Sequence, residues 1–329
     1  MGEVLSVKAA GEEHDQARLV AELEVAVMQL RLGDTAECKR VVEKHAAAVE
    51  DLEEADSLVP ATFFRVASEL YRTTGPPSAF HDASLRFLTH TPLEHIAAAG
   101  RPALAVDLAV SALLSDDVYS FAEVLEHPIA AHIGAGPVAA TADTVESGAG
   151  GSSAASAAGS SSSSSSSAAA DEAEIEVADP WLADLMRSAD RGDVDGVASC
   201  LAAHRADMAR HPALAAGAEE LKAKTVLMAI MATAAARPAS KRSLGFAELA
   251  DACGLDTTDV EWVVMRASAK GLIQATIDGV DEVVHVHYVR PRALGRESVG
   301  RLAGAVRSWT ARAHEQLLTV EFGARDIMS

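Results

Sequence analysis

The sequence predicts a mainly α-helical protein: a TPR-like helical-repeat solenoid, then a winged-helix domain, then a C-terminal helix. Three observations predict it. Of the 329 residues, 49% are apolar but only 4% are aromatic. That alanine-rich balance favours helices, where alanine loses no side-chain entropy, over strands, which want branched or aromatic side chains. Apolar residues recur at helical spacing in short segments broken by Gly, Pro and Asp turns, the pattern of stacked helical hairpins. Residues 244–290 then run helix, glycine stop, second helix and two alternating strands, in that order.

In the first part, Leu19, Leu23, Val27 and Leu30 form one helical stripe ending at Gly33. Asp34, with Glu37 three residues later, fits the start of a second helix. Further helices are predicted at 61–72, 78–89 and 102–114, and Ser120 with Glu123 starts one running to about His132. From Gly134 to Asp179 the chain is rich in Gly, Ala and Ser, with an unbroken serine tract at Ser160–Ser167. It has no apolar period to offset chain ordering and reads as a flexible insertion. Helices follow at 180–189, 193–205 and 212–236, the last ended by Pro238.

In the winged-helix segment, Phe246, Leu249 and Ala250 face inward from a helix that stops at Gly254. Thr257 or Thr258 caps the next, where Val260, Val263, Val264 and Ala267 recur at helical spacing up to Gly271. Leu272–Ile277 and Val283–Val289 are the strands, joined by an Asp-Gly turn. Val284, Val286 and Tyr288 are expected on the buried face. As the second strand of its hairpin, Val283–Val289 is expected to have one side open to a neighbouring sheet. The last helix, about 295–322, carries Leu302, Val306, Trp309, Ala313, Leu317 and Val320 at close to 3.5-residue spacing, a seam suited to a partner helix. Packing of that seam on its own domain is the other reading; its place at the chain end favours a partner. The expected organisation is 1–133 helical repeats, 134–179 insertion, 180–243 helical segment, 244–291 winged helix and 292–329 terminal helix.

Composition narrows the function. Net charge is −20, which argues against indiscriminate binding to nucleic acid or anionic membrane. Residues 1–180 hold 10 basic and 29 acidic side chains, and residues 181–329 hold 18 and 19. The cysteines, Cys38, Cys200 and Cys253, form no CxxC pair, so a reduced intracellular compartment is expected. The longest apolar run, Val226–Ala236, is too short to span a membrane. On the second helix of the winged helix, Asp259 and Glu261 precede Arg266 and Lys270, and such an acidic first half is ill suited to DNA. His285 and His287 could share a metal from one strand face. A zinc hydrolase built on that H-x-H would need a serine and an aspartate where Gly295 and Ser298 stand. There is no G-x-S-x-G, H-E-x-x-H or phosphate-binding glycine loop. No catalytic residue, cofactor or metal is expected.

The segments PSAFHDASLRFL, VYSFAEVLEHPI, RGDVDGV, ARPASKRSLGFAELA, VEWVVMRASAKGLIQATIDGVDEVVHVHYVRPRAL and the closing RDIMS resemble the PCI-domain subunits of the proteasome lid. The resemblance implies a non-catalytic structural subunit of the regulatory particle that supports lid assembly and ubiquitin-dependent degradation in a hetero-oligomer. It also implies lateral contacts between winged helices and a shared bundle of terminal helices. The implied neighbours are another PCI subunit, a deubiquitinase pair and a ubiquitin receptor, with no nucleic acid and no membrane, and the implied location is cytoplasm and nucleus. Candidate contact residues are Val284, Val286 and Tyr288 on the wing and Leu302, Val306, Trp309 and Leu317 on the last helix. Such subunits carry several more helices ahead of where this chain begins, so a shorter outer solenoid is expected; they also lack the serine-rich insertion. The alternatives are a PCI subunit of the signalosome or of a translation-initiation complex, and a winged-helix DNA-binding regulator.

Overall fold

A computed structural model describes residues 2–50, 58–134, 178–238, 242–292 and 296–327. Helices α1 (Gly2–Arg31), α2 (Thr35–Glu50), α3 (Leu58–Thr74) and α4 (Pro77–His90) pack as antiparallel neighbours, followed by α5 (Arg101–Leu114) and a short α6 (Ala122–Glu126). Beyond the insertion come α7 (Trp181–Arg191), α8 (Val194–Ala203), α9 (Arg205–Met208), α10 (Pro212–Ala216) and α11 (Ala218–Ala236). The winged helix is β1 (Ser243–Gly245), α12 (Phe246–Cys253), α13 (Thr257–Ala269), β2 (Ile273–Asp278) and β3 (Val283–Val289), and α14 (Arg296–Ile327) closes the chain.

The α1–α2 turn forms as its residues dictate. Gly33 takes φ +94°, a left-handed backbone favoured by glycine, and the Asp34 carboxylate accepts from Glu37 N at 3.1 Å. Leu23 and Val27 then meet Cys38 and Val42 of α2 and Phe63, Val66 and Leu70 of α3 in a first core that reaches Ala83 of α4. A second core begins at Leu88 and is continuous through α5, α7, α8, α11 and the winged helix. Residues before and after the insertion therefore bury their apolar surface together. Ala178 N donates to His132 O at 2.7 Å, so the chain leaves and re-enters the fold at one place. Ala178 and Asp179, assigned above to the insertion, belong to the packed protein: Asp179 accepts from His211 Nε2 at 2.9 Å and pairs with Arg210 at 2.6 Å. Residues 135–177, with the serine tract, lie outside the described residues.

Three sequence expectations are corrected. The helix beginning near Ser120 is only α6, because Pro128 lacks the N–H to continue the ladder. A 3₁₀ turn, Pro128–Ile133, replaces its second half, and His127 Nδ1 accepts from Ile129 N at 3.2 Å at the turn's start. The single helix expected at 212–236 is two helices parted at Gly217, where a Cβ would lie 2.3 Å from Leu114 Cδ2. Neither Thr257 nor Thr258 is the cap of α13; Asp256 holds that position, with no side-chain hydrogen bond to the helix.

Lys224 joins the two halves of the chain. It lies on α11, is 7% exposed, and donates to the carbonyls of Ala112 (2.8 Å), Leu113 (3.2 Å) and Ser115 (2.7 Å) at the carboxyl end of α5. The rings of Tyr119 and Phe121 flank its ammonium at 5.6 and 5.0 Å. Such a cation answers the orphan carbonyls and the negative dipole end of a helix. Burial pushes its pKa down to about 7; nearby Asp116 and Asp117 oppose that shift and Lys270 adds to it. The unfolded chain therefore holds this proton more tightly than the native one above about pH 7. Stability should rise with pH from there, by at most about 1.4 kcal/mol per pH unit. Urea midpoints at pH 7 and 8.5 check this, and Lys224→Met should flatten the rise. Equal slopes in the two proteins would show that the amine does not titrate in the fold.

Candidate protein-interaction site

Gly254 and Gly271, at φ +63° and +69°, end α12 and α13 in left-handed turns, and Leu272 N reaches back to Ala267 O at 3.0 Å. The inner face of α13, Val260, Val263, Val264 and Ala267, is buried as its spacing predicts. On its outer face Trp262 is 59% exposed and Met265 is also exposed. The sequence reading missed both; their signal was two large apolar residues lying off the buried stripe.

The sheet has the order β1-β3-β2 with antiparallel pairing throughout, so β3 is the central strand. This corrects the expectation of an open edge. β1, three residues too short to show a period, pairs Ser243–Gly245 with His285–Val283, and Val286 N donates to Arg242 O at 2.8 Å. Val284 and Val286 are 0% and 4% exposed and belong to the domain's own core. Tyr288, expected beside them, is 42% exposed. The cause is a bulge: Gln274 pairs with Tyr288 but Ala275 with Val286, which leaves His287 as an extra residue on β3. One extra residue inverts the alternation, turning Tyr288 outward and Val289 toward the core. Of the three wing candidates, only Tyr288 reaches the surface.

The two strand histidines point to different neighbours. His285 Nδ1 lies 2.9 Å from Ser243 Oγ on β1, and His287 Nε2 lies 2.9 Å from Thr276 Oγ1 on β2. Among the described residues no group of three His, Cys, Asp or Glu is arranged to hold a metal ion. The strongly shifted groups lie apart from any reactive constellation. Burial lifts the Cys253 thiol to about 11 and lowers His81 to about 4, and the ammonium of Lys224 is bound to backbone carbonyls.

The last helix presents the opposite picture to the wing. Leu302, Val306, Trp309 and Leu317 are all exposed, as are Val299, Leu318 and Val320. Trp309 alone is 66% exposed. The domain's own core does not cover this seam. Where the winged helix ends, the Asp190 carboxylate of α7 accepts from Phe121 N at 3.0 Å and from Arg292 at 2.6 Å. The described part of the long helix α14 thus carries an uncovered apolar stripe.

Helical repeats running into a winged helix, followed by a long helix with an exposed apolar stripe, form an architecture suited to protein–protein contacts. The family described as PSD13 N-terminal repeats matches residues 3–136, and the PCI domain matches residues 201–288. The chain is 25% identical over 308 residues to 26S proteasome non-ATPase regulatory subunit 13 homolog B of Arabidopsis thaliana, covering 94% of this chain and 69% of that protein. It is 22% identical over 308 residues to the Dictyostelium discoideum 26S proteasome non-ATPase regulatory subunit 13, covering 93% and 69%. Against the 26S proteasome regulatory subunit RPN9 of Saccharomyces cerevisiae it is 24% identical over 299 residues, covering 91% and 65%. The chain is thus similar over nearly its whole length to proteasome regulatory subunits, with a PSD13 N-terminal repeat match followed by a PCI-domain match. Among the described residues no helix is long and apolar enough to cross a membrane.

Proposed function

We propose that this chain is a non-catalytic structural subunit of the 26S proteasome regulatory particle lid, supporting lid assembly and ubiquitin-dependent degradation in the cytoplasm and nucleus. The observation that carries this reading is the uncovered apolar seam of α14, Leu302, Val306, Trp309 and Leu317. A stripe at nearly 3.5-residue spacing has its natural complement in other helices with the same pattern. Tyr288 on the outer face of the wing adds a lateral contact point. The neighbours are another PCI subunit, the deubiquitinase pair and a ubiquitin receptor. In this reading the protein has no peptidase, isopeptidase or ATPase activity of its own. DNA binding is disfavoured by α13, whose outer face sets Trp262 and Met265 beside Asp259 and Glu261.

Affinity purification of the tagged full chain from its native cells, expressed at its normal level, tests this. Proteasome regulatory subunits should co-purify in amounts comparable to the bait. Recovery of signalosome or initiation-factor subunits instead would reassign it within the PCI class. Recovery on chromatin would restore the DNA reading.

A further inference from the structure

We infer that the free chain pairs with a second copy of itself through the outer face of α13. Asp259, Trp262, Met265 and Arg266 are all exposed on that helix, at spacings that put them on one face. Trp262 is the large apolar anchor, with the Arg266 guanidinium 5.6 Å from its ring centroid. Asp259 lies three residues before Trp262 and Arg266 four residues after it. A two-fold axis through an antiparallel pair of helices maps each residue before the centre onto one after it in the other copy. With the axis at the height midway between residues 262 and 263, Asp259 of each copy lies opposite Arg266 of the other, twice, and the two indoles lie within one residue's rise of each other. The face is therefore self-complementary, as a two-fold interface must be. In a parallel pair Asp259 would face Asp259 and Arg266 would face Arg266, so the charges also select the direction. Neither Asp259 nor Arg266 has an ion-pair partner among the described residues, although many exposed acids and bases of this chain do. The surface is separate from α14 and does not depend on the lid reading.

One face of a 13-residue helix is small against the roughly 1,600 Å² of a standard interface, so the pair should be weak and populated only at high chain concentration. Sedimentation equilibrium of the full chain with Leu302→Asp, Trp309→Asp and Leu317→Asp isolates it, because those changes remove the other exposed apolar seam. That protein should still dimerise. Adding Arg266→Asp should weaken the dimer at least tenfold, and Trp262→Asp should leave a monomer. Asp259→Arg combined with Arg266→Asp should restore dimerisation to near the starting constant. Near-unchanged melting temperatures would show that these exposed substitutions leave the fold intact. A monomer at every concentration before any α13 change overturns the inference. So does a dimer indifferent to Arg266→Asp, or a charge swap that fails to restore pairing.

Discussion

A chain carrying aspartate in place of Leu302, Trp309 and Leu317 should fold normally and yet be lost from assembled complexes. Each of these side chains is more than half exposed, and surface substitutions of that kind usually change stability by less than about 0.5 kcal/mol. Aspartate is also only a modest helix breaker, at a few tenths of a kcal/mol per site, roughly. Seated in a helical bundle, the same three positions would bring unpaired carboxylates out of water, and each would cost several kcal/mol, roughly. Incorporation should therefore fall by orders of magnitude while circular dichroism and melting temperature of the purified chain stay near the parent values. Ubiquitinated proteins should accumulate in cells that depend on the variant. Normal incorporation would show that α14 is not an assembly element.

Gly192→Ala should be among the most damaging single substitutions in the chain. Gly192 ends α7 at φ +77° and lies against the backbone of α11. A Cβ there would sit 2.6 Å from Ala229 Cα and 2.7 Å from Ala229 N, so relief requires one helix backbone to move away from the other. A side chain in the left-handed region costs about 1 kcal/mol, and forced displacement in a packed interior costs about 1–3 more. The sum is about 3 kcal/mol, worth about 5 °C in melting temperature for a fold of this size. Gly279→Ala, in the wing turn with open space around it and no positive φ, is the matched control and should be near neutral. A similar melting temperature for both variants would mean that α7 and α11 are not locked together at this point.

The winged helix could be read from the chain because its signals are local. Gly254 and Gly271 mark the two helix ends, the valines at 260, 263 and 264 mark one face, and alternation marks the strands. What escaped depended on contacts between distant segments. Gly217 looks like a residue within a long helix until Leu114 is set against it. Tyr288 continues a strict alternation until the bulge at His287 inverts the phase. β1 has no period of its own and exists only as a partner for β3, so the edge assigned to β3 could not be corrected from sequence. The α14 stripe was plain in its spacing. Whether the domain would cover it was a question of tertiary packing, and the spacing carries no information on that.

The hydrogen bond between Ala178 and His132 has a practical use. Because the two ends of the insertion are held at one spot, that spot is a natural splice point for a foreign domain whose own termini lie close together. A fluorescent or affinity module placed between Gly134 and Ala178 would meet anchors already at the right separation, and lengthening what lies between them costs only about 0.6 kcal/mol per doubling. Such a graft leaves both the first helices and α14 free of any tag. It would let the protein be followed in cells without touching the surfaces on which its assembly is proposed to depend.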